Sequence, residues 1–337
     1  MSTINLPRKY IIMATNSCNC ACDYCYSLDE KRTMSDKILE KTISEISTKK
    51  DNPFYMWYGG EPYLAGLDFF RKAVKSQGMN PKLNLIQSNL TINNEDMHQF
   101  MVDNRFVIST SIDGPARIHN QKRKFKSGKG NHANIMESVK YFQGRGINPW
   151  AICVVSEHNI HSPEEIYEFF RDNNPQIRFC PEIEQEAIMP EDYFKFIKIV
   201  YDLWDGEGRT VNISNFNKLL KSIKTGIPQE CDNMLNCLEN NICIDTNGDA
   251  YPCNRFIGMP DFKLGNILEG LESIVDSNKS RELSKRANRL PCSCDEKSLL
   301  YGGCMYNAQV SNGSWKNIDP YCDVTRKIIK YLRNQNE

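Results

Sequence analysis

The sequence predicts an α/β fold, a partial (β/α)6 barrel of the TIM type, followed by a small cysteine-rich domain. Two observations predict it. Through the first 190 residues, apolar β-branched runs alternate six times with amphipathic stretches, the pattern of parallel strands joined by right-handed helical crossovers. Beyond that the alternation stops and cysteines crowd together between 237 and 322. Six units fall short of the eight that close a barrel, so the sheet should stay open, with its site at the C-terminal ends of the strands.

The predicted strands are Tyr10–Thr15, Phe54–Tyr58, Leu83–Ser88, Phe106–Ile112, Trp150–Ser156 and Ile177–Ile183. Between them the 3.6-residue period predicts helices at Ser35–Thr48, Leu67–Lys75, Asn94–Val102, His132–Arg145 and Pro163–Arg171. Ser35 is a fitting N-cap, with Ile38, Leu39, Ile43 and Ile46 on one side of the helix it starts. Helical patterns at Glu191–Trp204 and Asn215–Lys224 lead to Gly226-Ile227-Pro228, where we set the domain boundary, 1–228 and 229–337. In the second part Asn247-Gly248-Asp249 reads as a turn between short strands Ile242–Thr246 and Ala250–Tyr251.

Composition excludes several classes. Lys+Arg and Asp+Glu balance at 42 each, so no bulk field attracts nucleic acid or an anionic membrane. The N-terminal apolar run, Tyr10–Thr15, is too short for a signal sequence or a membrane span. We therefore expect a cytoplasmic protein. Fourteen cysteines in a reducing compartment argue against disulfides, and their clustering favours metal ligation.

Cys18-Asn19-Cys20-Ala21-Cys22-Asp23-Tyr24-Cys25 contains CxxxCxxC directly after the first strand. Three thiolates at that spacing can wrap one loop around an iron–sulfur cluster and leave one iron without a protein ligand. CxxC pairs alone also fit zinc or redox chemistry. The other motifs each follow a strand. Gly59-Gly60-Glu61-Pro62 ends the second, where glycines allow close backbone approach to a ligand and Glu61 offers an acceptor. Gln87-Ser88-Asn89 ends the third, and Ser109-Thr110-Ser111-Ile112-Asp113-Gly114-Pro115 the fourth, followed by His119 and Arg123.

In this order the motifs resemble the radical S-adenosylmethionine enzymes, over roughly residues 8–190. Tyr24 before the last cysteine is also typical of that family. The resemblance implies that Cys18, Cys22 and Cys25 ligate a 4Fe–4S cluster and that Gly59, Gly60, Glu61 and Pro62 hold the amino group of S-adenosyl-L-methionine. Gln87 and Asn89 match its QTN-like motif, while Ser111 and Arg123 match contacts to the cofactor's ribose and carboxylate. Arg123 suits a carboxylate because its guanidinium binds bidentately. Asp113 is either a ribose ligand or a turn former. His119 reads as a structural hydrogen-bonder, and Cys20, Cys153 and Cys180 as small apolar residues facing a core. The chemistry implied is cleavage of S-adenosylmethionine to a 5′-deoxyadenosyl radical that abstracts hydrogen from an unactivated carbon.

The C-terminal cysteines resemble the SPASM extension of anaerobic sulfatase-maturating enzymes and of peptide maturases. Cys237, Gly248 and Cys253 follow its C-x10-G-x4-C spacing, and Gly265-Asn266-Ile267 also fits. By that likeness Cys237, Cys243, Cys253 and Cys304 would ligate one auxiliary cluster. The other set departs from the pattern, since Leu300 stands where a cysteine is expected and C-x2-C is shortened to Cys292-Ser293-Cys294. With Cys322 that leaves three thiolates. Three outcomes stay open there: an iron without a protein ligand, a fourth thiolate from Cys231, or no second auxiliary cluster. Zinc is the alternative metal.

In the sulfatase-maturating relatives an Asp follows the cysteine equivalent to Cys253 and acts as general base. Here Asn254 follows it, and an amide takes no proton at neutral pH. The expected function is thus a radical oxidoreductase acting on a ribosomally made precursor peptide, closing a thioether or carbon–carbon crosslink. The alternatives are oxidation of Cys or Ser to formylglycine, with Glu182 or Glu184 as base, and a non-enzymatic multi-cluster electron carrier. An electron donor such as flavodoxin or ferredoxin is an expected partner. With the first strand starting by residue 10, leader recognition would fall to a separate protein or to the barrel's own edge.

Overall fold

A computed structural model describes residues 6–26, 30–78, 82–173, 176–290 and 294–335. Seven strands form a parallel array in chain order: β1 (Lys9–Thr15), β2 (Phe54–Gly59), β3 (Leu83–Ser88), β4 (Val107–Ser111), β5 (Trp150–Val155), β6 (Gln176–Pro181) and β7 (Asn212–Ile213). The connecting helices are α1 (Asp36–Lys49), α2 (Leu67–Ser76), α3 (Glu95–Asp103), α4 (Ala116–Lys122), α5 (His132–Gln143), α6 (Pro163–Asn173), α7 (Pro190–Gly206) and α8 (Ser214–Thr225). This is the expected open barrel, extended by the two-residue β7. The sequence reading passed over α4, which has seven residues and starts behind Pro115 without a side-chain cap.

Local chemistry sets these elements. Ser35 caps α1, its hydroxyl accepting from the Ile38 N–H at 3.4 Å, and Ile38, Leu39, Ile43 and Ile46 turn into the core. After its first residue β1 is buried along its whole length, as expected of a strand covered on both faces. Trp57 in β2 is also fully buried, its indole N–H satisfied by Asn84 Oδ1 at 2.8 Å.

The C-terminal part continues the same sheet. β8 (Asn241–Ile244) lies parallel to β1, with Lys9 opposite Asn241 and Ile12 opposite Ile244. β9 (Asp249–Tyr251) and β10 (Gly265–Asn266) follow antiparallel, giving the order β10-β9-β8-β1-β2-β3-β4-β5-β6-β7. Polar side chains reinforce the seam: Asn16, just beyond β1, donates to Asp245 and Thr246, and Arg32 Nε donates to Thr246 Oγ1 at 2.8 Å. Among the described residues, no helix is long and apolar enough to cross a membrane.

Candidate active site

The loop after β1 carries Cys18, Cys22 and Cys25. The first two thiols are half-buried and the third exposed, and each lies near enough to Cys22 to act on its charge. The Cys20 N–H points at Cys18 Sγ (3.4 Å). Cys20 is buried beside Cys18, its sulfur accepting from Asn89 Nδ2 (3.4 Å) and Asn131 Nδ2 (3.3 Å). The loop is held in shape by the segment after α4: the Ala21 N–H bonds the Lys124 carbonyl at 2.8 Å and the Asp23 N–H the Lys122 carbonyl at 3.1 Å. Burial pushes the Cys22 thiol up to about 11, with Arg123 opposing.

The turn after β2 packs backbone to backbone against this loop. The Gly60 and Glu61 N–H groups bond the Thr15 and Ser17 carbonyls at 3.0 and 2.8 Å. A Cβ on Gly60 would meet Ser17 O at 2.5 Å, and one on Gly59 would strike Thr15 O. The glycines therefore serve the close approach of two loops.

Glu61 is fully buried and faces inward. Its carboxylate caps the short helical turn that Pro62 begins, accepting from Tyr63 N–H (3.0 Å), and also takes Ser88 Oγ (2.7 Å) and the Asn89 N–H (2.6 Å). Burial lifts its carboxyl to about 7. It thus ties the β2 and β3 turns together, and Asn89 passes the link on to Asn19 Oδ1 at 2.9 Å. Gln87 bridges Ser109 (2.5 Å) and Ser111 (3.3 Å) at the ends of β3 and β4.

Asp113 has no exposed surface. It accepts from Arg123 Nε at 2.8 Å, from the Tyr24 hydroxyl and from the Val154 N–H at 2.9 Å. Burial disfavours its charge, but Arg123, His119 and Tyr24 outweigh that and hold the carboxyl below its ordinary value. This arrangement makes Asp113 an anchor for Tyr24 and Arg123. His119 accepts from the Asp113 N–H on Nδ1 (3.2 Å) and bonds Asn131 Oδ1 through Nε2 (2.8 Å). That fixes a neutral Nε2–H ring, and burial lowers its pKa to about 4.

In the C-terminal part Cys237, Cys243 and Cys304 all lie close enough to Cys253 to feel its charge. Cys231 sits beside Cys237. Cys294 and Cys322 both neighbour Arg326, while Cys292 lies outside the described residues. Leu300 is fully buried. Cys153 is buried and Cys180 half-buried. Among the described residues no three Cys, His, Asp or Glu side chains close on one ion; a cluster spreads its thiolates over a wider cage than an ion does.

The barrel mouth lies between the two parts, its opening lined by Met13, Asn16, Tyr26, Tyr58, Gly59, Asn254 and Ile257. Asn254 Nδ2 donates to the Tyr26 hydroxyl at 2.6 Å. Asn16 Oδ1 is buried without a partner, an acceptor that a ligand's ammonium would satisfy. Three thiols on one loop, an orphaned acceptor and the buried Arg123 beside them fit a 4Fe–4S cluster with S-adenosylmethionine. Sequence reasoning did not single out Tyr58, Arg255 or Tyr306. No spacing marks them, because they meet the site only through the tertiary fold.

Residues 12–170 match the radical SAM superfamily and residues 231–296 the SPASM iron–sulfur cluster-binding domain. The chain is 27% identical to a cysteine-type anaerobic sulfatase-maturating enzyme of Clostridium perfringens (strain 13 / Type A), over 94% of each chain. It is also 27% identical to a serine-type anaerobic sulfatase-maturating enzyme of Bacteroides thetaiotaomicron, over 93% of this chain and 89% of the relative. A solved structure described as native anSMEcpe with bound AdoMet and Cp18Cys peptide superposes with a TM-score of 0.87 at 25% identity, covering 98% of this chain and 97% of that one. Motif order, the shape of the mouth and these likenesses agree: the chain is a radical S-adenosylmethionine enzyme with a C-terminal SPASM region, and its cofactors are S-adenosylmethionine and 4Fe–4S clusters.

Proposed function

We propose that this protein removes two hydrogens from one side chain of a polypeptide laid across the barrel mouth. The observation that carries the reading is the opening itself, which has the cluster loop (Tyr26) on one side and the SPASM region (Asn254, Ile257) on the other. A substrate there lies between the two sets of cysteines. Cys18, Cys22 and Cys25 would hold the first cluster, and Arg123, Ser111 and the Gly59–Pro62 turn would border S-adenosylmethionine. Cys237, Cys243, Cys253 and Cys304 would hold an auxiliary cluster. When bound, these groups supply hydrogen abstraction and an acceptor for the second electron. The protein's share is to bind and orient the peptide and to take up its proton.

Likeness along nearly the full length to cysteine- and serine-type sulfatase-maturating enzymes supports Cys or Ser oxidation to formylglycine. A synthetic peptide with one central serine, incubated anaerobically with reductant and S-adenosylmethionine, should become lighter by two hydrogens. Its cysteine counterpart should give the same aldehyde after hydrolysis, with sulfide released. Release of 5′-deoxyadenosine from both assays with neither peptide changed overturns this product.

Asn254 favours a second reading, crosslinking of a precursor peptide, since an amide at that position takes no proton. Under it, a peptide encoded beside this gene loses two hydrogens and resists fragmentation across a new ring. Asn254→Asp would then leave the yield of formylglycine near zero. A low-potential electron donor completes either scheme.

A further inference from the structure

Four contacts close a circuit around the mouth. Tyr26, next to Cys25, accepts from Asn254 at 2.6 Å. The neighbouring Arg255 lies 4.1 Å over the Tyr306 ring and donates to Asn307 Oδ1 at 3.0 Å. Tyr306 donates its hydroxyl to Glu184 Oε1 at 2.9 Å. Gln185 then reaches back to the Cys25 carbonyl at 3.5 Å. The segment after β6 therefore runs along the rim from the cluster loop to the SPASM region, and Glu184 stands on it.

The other carboxylates around the rim are buried or tied to the protein. Glu61 and Asp113 have the partners given above. Glu182 is buried and caps the turn, accepting the Glu184 and Glu186 N–H groups at 2.8 and 2.7 Å. Glu186 pairs with Lys122 through Oε1, and its Oε2 is shut in the interior without a partner. Asp319 is buried and accepts three hydrogen bonds, from the Cys304 and Tyr321 N–H groups and from Asn307. Glu184 shares an open second oxygen with Glu186 but differs in its place: it is half-buried and bonded through Oε1 to Tyr306 of the SPASM region, and among the described residues its Oε2 accepts nothing.

Loss of two hydrogens from a side chain needs three acceptors: one for a hydrogen atom, one for an electron and one for a proton. On the reading under Proposed function, bound S-adenosylmethionine would supply the acceptor of the hydrogen atom and an auxiliary cluster that of the electron. We propose that Glu184 takes the proton, with Tyr306 and Arg255 positioning its carboxylate. The substrate's C–H and X–H bonds break, a C=X or C–X bond forms, and the carboxylate leaves as the acid. The groups facing Glu184 are Tyr306, Arg255 and Glu182; burial raises its carboxyl despite the lowering effects of Tyr306 and Arg255. A base shifted toward the working pH is the more effective one.

The test uses the reconstituted holoenzyme with the serine peptide, its cysteine counterpart and the peptide encoded beside this gene. Glu184→Gln should keep its iron and its peptide affinity but lose about 10²–10⁴-fold in product rate. Deoxyadenosine should then be released without matching product, and Glu184→Asp should restore part of the rate. Tyr306→Phe removes a hydrogen bond to the charged carboxylate, so the acid limb of the pH profile should move to higher pH. If wild type itself yields no lighter peptide, the reading under Proposed function fails and Glu184 with it. If wild type does, and Glu184→Gln turns over within about threefold of it, Glu184 alone is overturned. Should Glu184→Gln lose iron, an unmoved acid limb in Tyr306→Phe overturns the assignment.

Discussion

Arg286 and Asp319 hold opposite ends of one peptide group. Arg286 donates to the Gly303 carbonyl at 2.8 Å, and Asp319 Oδ2 accepts from the Cys304 N–H at 2.9 Å. The same guanidinium also bonds the carbonyls of Trp315, Gly302 and Asn317, and both side chains are buried. The loop presenting Cys304 is thus fixed from two sides before any metal arrives.

Arg286→Met should leave the buried Gly303 carbonyl and the less buried Trp315 and Asn317 carbonyls without their guanidinium donor. We expect a loss of about 3 kcal/mol, read by urea unfolding under anaerobic conditions, together with less iron held by the C-terminal part. Unchanged unfolding and full iron content would show that the clamp is dispensable.

The triple variant Cys18→Ala, Cys22→Ala, Cys25→Ala should abolish 5′-deoxyadenosine formation and remove about four irons. The wild-type chain should carry about eight to twelve irons if two or three 4Fe–4S clusters form. Cys20→Ala, which alters a buried thiol beside Cys18 but outside the CxxxCxxC spacing, should keep the cleavage activity. Normal cleavage by the triple variant, or stoichiometric zinc in the wild type, contradicts the ligand assignment.

In Gly60→Ala the new methyl meets the Ser17 carbonyl at 2.5 Å, and backbone cannot give way as a side chain does. A destabilisation of about 1–3 kcal/mol follows, along with weakened S-adenosylmethionine binding by calorimetry. An unchanged affinity would mean that the two loops separate freely.

Asp113 bears on acid stability. Its folded pKa lies below the ordinary value, which is about 3.9 in an unfolded chain. The stabilisation is therefore fully present above about pH 4 and fades as pH falls below that, through the lower folded value. Asp113→Asn should remove this acid-side slope. It should also cost about 3–5 kcal/mol at neutral pH, because Arg123 would stay buried without its counter-charge. Thermal melts of the apoprotein from neutral to acid pH distinguish the two effects.

Periodicity revealed the six βα units because each strand and helix carries its own hydrophobic pattern. It did not reveal β7, two residues long, or that Asn241–Ile244 would pair with β1, since a short apolar run does not name its neighbour. Nor does a motif disclose burial. Glu61 stands in the Gly-Gly-Glu-Pro turn, yet its carboxylate faces the interior because Ser88 and the Asn89 N–H meet it there. The rim contacts were beyond sequence for a simpler reason. Tyr26 and Asn254 are 228 residues apart, and Glu184 and Tyr306 are 122 apart.

The β1–β8 pairing has a consequence for how the chain is made. The strand that leads into the first cysteine loop is flanked on one side by residues synthesised more than 200 positions later. At about 5–20 residues per second, a nascent chain waits tens of seconds with that edge of the sheet bare, open to pairing with another chain. Chaperone demand and late metal insertion follow for the whole molecule. A fragment ending at the barrel would keep the sticky edge permanently, and expression in pieces should yield inclusion bodies where the intact chain does not.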